Sequence, residues 1–274
     1  AENVRVSMIK IIFSDMDGTL LDDQGNVPEG FDEIVAELKK RGVMFAPASG
    51  RQYYSLEDSF SKYKDDFLFL AENGTMVMYR DELIFSCPME KTLAQQVLKT
   101  AESLPNIYGV FCGMKNGYVL TSQYTEEFLK ELHKYYTHSE PIPSFIDVPD
   151  TPIKTSFFDP SGHAAETIYP VMKPFEPDLQ VVLSSDYWVD LMHPDINKGI
   201  AVKEVQKRFG IRPDECAAFG DFMNDAEMLQ AVDYSFAMKN AYPEIKKIAR
   251  FETGTNEEKG VLQGIRRLMK EGLM

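Results

Sequence analysis

Lys10-Ile11-Ile12-Phe13-Ser14-Asp15-Met16-Asp17-Gly18-Thr19 is the stretch on which the fold turns. Ile11, Ile12 and Phe13 form a β-rich run without polar alternation, the pattern of a strand buried on both faces of a parallel sheet. Two aspartates, a glycine and a threonine follow within five residues. Ligands of open α/β sheets gather outside the carboxyl ends of the strands, so these residues stand where a site belongs. Asp15 and Asp17, two apart, can point to one side as the chain leaves the strand. The plainer alternative is an Asp-rich turn with a helix cap. At average residue frequencies, however, DxDGT arises by chance in only about three per thousand chains of this length.

Outward from this motif, Pro28 opens a helix in which Phe31, Ile34, Val35 and Leu38 fall at helical spacing. Gly42 ends it, Val43 to Ala48 reads as a second buried strand, and Phe67 to Ala71 as a third before the turn Glu72-Asn73-Gly74. Strand, helix and strand at this spacing predict a right-handed parallel α/β unit. The texture then changes. Met76 to Phe85 reads as a hairpin and Lys91 to Ser103 as a helix; short strands then alternate with helices near 126–136 and 163–172 as far as Met192. Prolines are dense here, and Trp188-Val189-Asp190-Leu191 alternates like a half-exposed strand of a mixed or antiparallel sheet. Lys198 to Phe209 returns to a clean helix and Cys216 to Gly220 to a buried strand, with further helices near 224–231 and 257–269. The expected fold is α/β: a discontinuous core of residues 8–85 and 193–274, with 86–192 inserted as a second domain.

Composition agrees with two domains. The 274 residues are nearly twice the ~150 of a typical domain. Apolar residues at 44% and charged residues at 26% exclude a disordered chain, a collagen-like repeat and a coiled coil. A formal charge of −14, from 29 basic and 43 acidic residues, repels phosphate backbones and anionic membranes. No nucleic-acid or membrane partner is therefore expected, and any anionic substrate needs local cations. Cys87, Cys112 and Cys216 are widely spaced with no CxxC pair, which argues against a disulfide framework or structural zinc and for a reducing cytosol. No apolar run approaches the ~18 residues of a membrane span. Ala1 to Ser7 lacks the apolar centre of a secretory signal; Met8 reads as the natural start and the first seven residues as an expression remnant or short extension. A cytoplasmic location is expected.

Three further elements each stand at a strand end or helix start. Ser49-Gly50 follows the second strand, where a hydroxyl and a backbone N–H can hold a phosphoryl oxygen, although Ser-Gly is more often a turn. Lys198-Gly199 opens a helix where the ammonium can neutralise phosphate charge, although a lysine there is usually solvated. Gly220-Asp221-Phe222-Met223-Asn224-Asp225 follows the fourth core strand and offers carboxylates to a hard cation, the alternative being a loop and cap. Their joint occurrence in this order is far harder to dismiss than any one alone.

With these motifs together the sequence resembles the haloacid dehalogenase superfamily, in its Cof-type phosphatase branch with a type IIB cap. The resemblance runs from Met8 through Ala48-Ser49-Gly50-Arg51, Glu72-Asn73-Gly74, Asn197-Lys198-Gly199 and the 220–225 segment to Thr255–Val261. Ser49 stands where many members have threonine, and the hydroxyl survives. The resemblance implies a Rossmann-like core with an inserted α/β cap that selects the substrate, and a Mg²⁺-dependent phosphatase of small phosphomonoesters, sugar phosphates above all. It implies that Asp15 is the nucleophile, forming an aspartyl-phosphate, and that Asp17 is the general acid and then base. Mg²⁺ would be bound by the carboxylates of Asp15 and Asp221 and the carbonyl of Asp17. Met16 would lend its backbone N–H to the phosphate, Ser49, Gly50, Lys198 and Asn224 would complete the cradle, and Asp225 would orient Lys198 or metal-bound water.

Two other functions stay open at this level. A phosphomutase or phosphotransferase shares the nucleophile and Asp17, and is separated by product analysis. A non-catalytic phosphometabolite-binding protein would be marked by loss of Asp15 or Asp17, and both are present. Arg51 reads equally as a substrate or cap contact and as a structural ion pair. Tyr187 and Trp188 could stack on a substrate, but an aromatic on a strand is more often core. Cys216 reads as a small buried hydrophobe.

Overall fold

In the computed structural model, which describes residues 7–274, the Ile11–Phe13 run forms an interior strand of a parallel sheet. The reading of the first residues as an extension lies, for residues 1–6, outside those described. In chain order the strands are β1 (Ile11–Ser14), β2 (Met44–Pro47), β3 (Leu68–Ala71), β4 (Met76–Tyr79), β5 (Glu82–Ser86), β6 (Tyr108–Gly113) and β7 (Gly117–Leu120). There follow β8 (Ser139–Ile142), β9 (Pro152–Phe158), β10 (Gln180–Leu183), β11 (Trp188–Met192), β12 (Cys216–Gly220), β13 (Tyr234–Met238) and β14 (Phe251–Thr253). They divide between two compact units: residues through Ser49 with Phe60–Phe85 and Asn197–Met274, and Gly50–Ser59 with Ser86–Ile196.

The first unit holds a five-stranded parallel sheet in the order β14-β13-β12-β1-β2. Ile11, Ile12 and Phe13 are fully buried, as strands covered on both faces must be. The helix expected after Pro28 runs Phe31–Lys40 and buries Phe31, Ile34, Val35 and Leu38. Its acidic residues Asp32 and Glu33 sit in the first turn and Lys39 and Lys40 in the last, complementing the helix dipole.

The third expected strand is present at Leu68–Ala71. β3 lies in a separate three-stranded sheet, β3-β4-β5, and pairs antiparallel with β4. Glu72 and Asn73 both take positive φ, so the chain doubles back within three residues instead of crossing over. The isolated parallel bridge Ala48↔Leu70 ties β3 to the end of β2, so the two run in the same direction. β13 and β14 were also not foreseen; β14 is three residues long and partly exposed, too short to show a period.

The second unit is built on a six-stranded sheet, β10-β11-β9-β6-β7-β8, antiparallel except for β7 with β8. The sheet is mixed as expected, but β11 is buried along its whole length rather than half-exposed, because apolar clusters cover both faces. Adjacent residues on β9 and β6 face opposite apolar clusters, Phe157 and Phe111 in one and Phe158, Val110 and Cys112 in the other. The helix expected over 163–172 is broken into Ala164–Thr167 and Tyr169–Met172, with Pro170 at the start of the second piece. No helix among the described residues is long and apolar enough to cross a membrane.

Candidate active site

Register brings the acidic motifs together. β1 and β12 are parallel neighbours with Ser14 opposite Phe219, so Asp15 and Asp221 leave adjacent strands at nearly the same level. The Asp15 N–H continues the ladder, donating to the Phe219 carbonyl at 3.1 Å. Beyond Asp15 the chain makes a tight turn over Met16–Leu20, with Gly18 at φ +74°. A Cβ on Gly18 would stand 2.3 Å from Asp221 Oδ2, so both the dihedral and the close approach require glycine. Thr19, buried, donates from Oγ1 to Asp221 Oδ1 at 2.9 Å, and Asn240 Nδ2 donates to the Gly18 carbonyl at 2.8 Å.

Lys198 occupies the centre. Asn197 caps the helix Lys198–Phe209, its Oδ1 accepting from the Ile200 N–H at 2.8 Å, which sets Lys198 on the first turn. The Lys198 ammonium, 1% exposed, donates to Asp15 Oδ1 at 3.0 Å and to Asp225 Oδ1 at 2.7 Å. Asp225 is completely buried, and its Oδ2 accepts from the N–H groups of Asp221 at 3.0 Å and Phe222 at 3.3 Å. Gly220 permits this, because a Cβ there would lie 2.6 Å from that of Asp225.

The electrostatics follow from burial and crowding. Burial pushes the Asp15 carboxyl well above the usual carboxylate range; the Asp225 and Asp221 charges add to this while Lys198 opposes it. Burial raises Asp221 as well, against the hydrogen bonds from Asp15 and Thr19 and the Lys198 charge. For Lys198, desolvation alone would lower the ammonium, but Asp15 and Asp225 outweigh it and hold it above the ordinary lysine range.

The other expected residues fall around this centre. Met16 is fully buried, whereas Asp17 is exposed and extended at φ −67°, ψ 128°. Ser49 is 2% exposed at the end of β2, its N–H donating to Leu70 O and its carbonyl accepting from the Asn73 N–H. Asn224 Nδ2 approaches Asn73 Oδ1 at 3.4 Å. Gly50 groups with the second unit. Arg51 lies there too, with its guanidinium 6.0 Å from the centre of the Tyr135 ring. Trp188 is a core residue, 7% exposed, while Tyr187 is 46% exposed. Cys216 is buried, and that burial pushes its thiol up to about 12. Sequence reasoning missed Thr19 and Asn240 as supports, and Asn256, whose Nδ2 braces the Leu21 carbonyl at 3.0 Å. Only the i+4 position of Thr19 after Asp15 was available as a signal.

The donor set suits a hard divalent cation. Asp15, Asp221 and Asp225 each offer an oxygen, all within 4.8 Å of one another. Two of these carboxyls are held above their ordinary range by burial and mutual repulsion, which a cation would relieve. Asp225 already spends both oxygens on Lys198 and backbone N–H groups, so Asp15 and Asp221 are the better-placed ligands.

Known proteins resemble this chain over nearly its whole length. Residues 12–265 match the family model of the haloacid dehalogenase-like hydrolases. The chain is 30% identical over 268 residues, 96% of its length and 97% of the relative's, to 5-amino-6-(5-phospho-D-ribitylamino)uracil phosphatase YbjI of Escherichia coli. The structure of SMU.1108c from Streptococcus mutans is similar at a TM-score of 0.84 and 27% identity, covering 96% of this chain and 99% of that one. The subclass IIB sugar phosphatase BT4131, at 21% identity and a TM-score of 0.80, shares the fold over 97% of this chain and all of its own.

Proposed function

The chain belongs to the haloacid dehalogenase-like hydrolases and is a phosphatase of small phosphorylated compounds; from that premise we propose that it hydrolyses sugar or sugar-alcohol phosphomonoesters through an aspartyl-phosphate on Asp15, with Mg²⁺ as cofactor. The observation that carries this reading is the buried Lys198 ammonium bridging Asp15 and Asp225 at the carboxyl ends of β1 and β12.

In this mechanism an Asp15 carboxylate oxygen attacks phosphorus while Lys198 holds Oδ1 and keeps the carboxylate charged. The P–O bond to the substrate breaks, and Asp17 gives its proton to the departing alkoxide. Water then attacks the aspartyl-phosphate, giving its proton to Asp17, and inorganic phosphate leaves with Asp15 restored. Ser49 Oγ, the N–H groups of Met16 and Gly50, Lys198 and Asn224 hold the phosphoryl oxygens. Asp225 holds Lys198. Mg²⁺ bound by Asp15, Asp221 and the Asp17 carbonyl would supply positive charge to the developing phosphoryl charge. These local cations answer the net charge of −14. In this reading the core of residues 8–85 and 193–274 carries the chemistry, and the inserted residues 86–192 select the substrate.

The sugar-alcohol reading draws on the E. coli relative, whose name places the phosphate on a ribityl chain. Phosphate release across sugar phosphates, sugar-alcohol phosphates, nucleotides and phosphorylated cofactors tests it. The highest kcat/KM is expected on the first two groups; a preference for nucleotides would overturn the substrate class, and an isomeric phosphate as product would replace hydrolysis by mutase action.

Two further outcomes are expected. Ser49→Ala removes one hydrogen bond to the phosphoryl group and is expected to lower kcat/KM about tenfold, much less than Lys198→Ala. The reverse order in steady-state rates would dismantle the proposed cradle. Chelation is expected to stop phosphate release and Mg²⁺ to restore it. Ca²⁺, which readily takes both oxygens of a carboxylate, is expected to compete with Mg²⁺ and support little turnover. Equal rates with the two metals, or full activity after chelation, would remove Mg²⁺ from the reading.

A further inference from the structure

Ser49 and Gly50 are consecutive in the chain, yet they belong to different compact units. Ser49 is fastened to the first unit on both sides: its N–H donates to Leu70 O at 3.0 Å and its carbonyl accepts from the Asn73 N–H at 2.9 Å. The Gly50 carbonyl instead accepts from the Lys154 ammonium at 3.0 Å, and Lys154, on β9, is 3% exposed. The following residues are clipped to the same second unit. Gln52, also 3% exposed, pairs its side-chain amide with both backbone groups of His138: Nε2 donates to the carbonyl at 2.9 Å, and Oε1 accepts from the N–H at 2.9 Å. Its own N–H donates to Tyr135 O at 3.0 Å. Ser55 repeats the device, donating from Oγ to Tyr135 O at 2.9 Å and accepting from the Thr137 N–H at 3.0 Å. Tyr54 stacks on the His138 imidazole with ring centres 4.1 Å apart.

Gln52 thus behaves like one residue of an added strand, with every polar atom of its side chain matched to a backbone partner. A fully satisfied buried amide fixes position and orientation as an apolar side chain cannot. Gly50 is the residue that needs this. Without a Cβ its φ and ψ are set only by what holds its neighbours. Ser49 holds it from one side; Lys154 and Gln52 hold it from the other.

We propose that Gln52 is a positioning residue for the phosphate-binding Gly50 N–H, acting with Lys154. The inference rests on the reading of Ser49-Gly50 as part of the phosphate cradle. Gln52 is the clean probe, because it is neutral and both its amide atoms are engaged with His138.

The experiment uses the full chain with inorganic phosphate as the probe, by calorimetric titration and as a product inhibitor, beside KM and kcat for the best substrate. Gln52→Met is expected to weaken phosphate binding about tenfold and raise KM in parallel, with a smaller change in kcat. Fitted stoichiometry separates affinity from the fraction folded, so a merely structural role would lower the melting temperature and leave affinity unchanged. That result overturns the proposal. Should Gln52→Met fail to fold, Ser55→Ala, which loosens the same clip by one hydroxyl, is expected to weaken phosphate binding about threefold, and unchanged affinity there overturns it equally. Wild-type protein that binds no phosphate would defeat the cradle reading and this inference together, whereas normal wild-type binding with unaffected variants defeats the inference alone.

Discussion

Asp15→Asn is expected to lower turnover by roughly 10⁴-fold or more while the protein stays folded. An amide oxygen is far too weak a nucleophile to displace an alkoxide from phosphorus, so the whole covalent route closes. The fold survives because the amide occupies the same space and still offers Oδ1 to Lys198, whose bond to that atom is 3.0 Å long. It also relieves crowding, since the carboxyl replaced is one that burial and the Asp225 and Asp221 charges hold well above its usual range. Phosphate release in the steady state, with a thermal melt of the same preparation, checks both halves. Turnover above about one-hundredth of wild type, free of contaminating enzyme, would remove Asp15 as nucleophile.

What made this site legible was position more than residue type. Asp15, Ser49 and Asp221 each follow a run of buried apolar residues, so they could be placed at strand ends from the pattern alone. The pairing of strands was not legible. Nothing in the sequence sets Ser14 opposite Phe219, the register that makes neighbours of two aspartates 206 positions apart. Lys198 at a helix start could be offered to a phosphate from its position, but its burial was not legible, because a lysine on a helix is usually solvated and this one depends on two carboxylates that other elements deliver. That β3 joins a separate sheet was not legible for a related reason. A buried run looks the same in a parallel and an antiparallel strand, and the reversal is set by positive φ at Glu72 and Asn73, which are not glycines. The allegiance of Gly50–Ser59 to the second unit is likewise a matter of tertiary hydrogen bonds made by Gln52 and Ser55, with no local signature.

The same buried triad makes Lys198 the residue whose loss is expected to cost most in stability. Lys198→Met keeps much of the side-chain volume and removes only the ammonium. Asp225, completely buried, then loses the ammonium paired with it, and Asp15 loses the charge that opposes its burial. Breaking a buried ion pair by removing one partner typically costs about 3–5 kcal/mol, because the remaining charge is stranded. A loss in that range, with turnover falling by more than in Ser49→Ala, is expected from chemical denaturation and steady-state rates. The ammonium is held above its ordinary range, so its contribution is fully present at neutral pH and is lost as pH climbs through that raised value. The double variant Lys198→Met with Asp225→Asn separates stranded charge from lost packing. An amide at 225 removes the uncompensated carboxylate while its oxygen can still accept from the Asp221 and Phe222 N–H groups, so the double variant is expected to be more stable than Lys198→Met alone. Strictly additive losses in that cycle would mean that the two residues do not act as a pair, and that the site is held together by packing rather than by its charges.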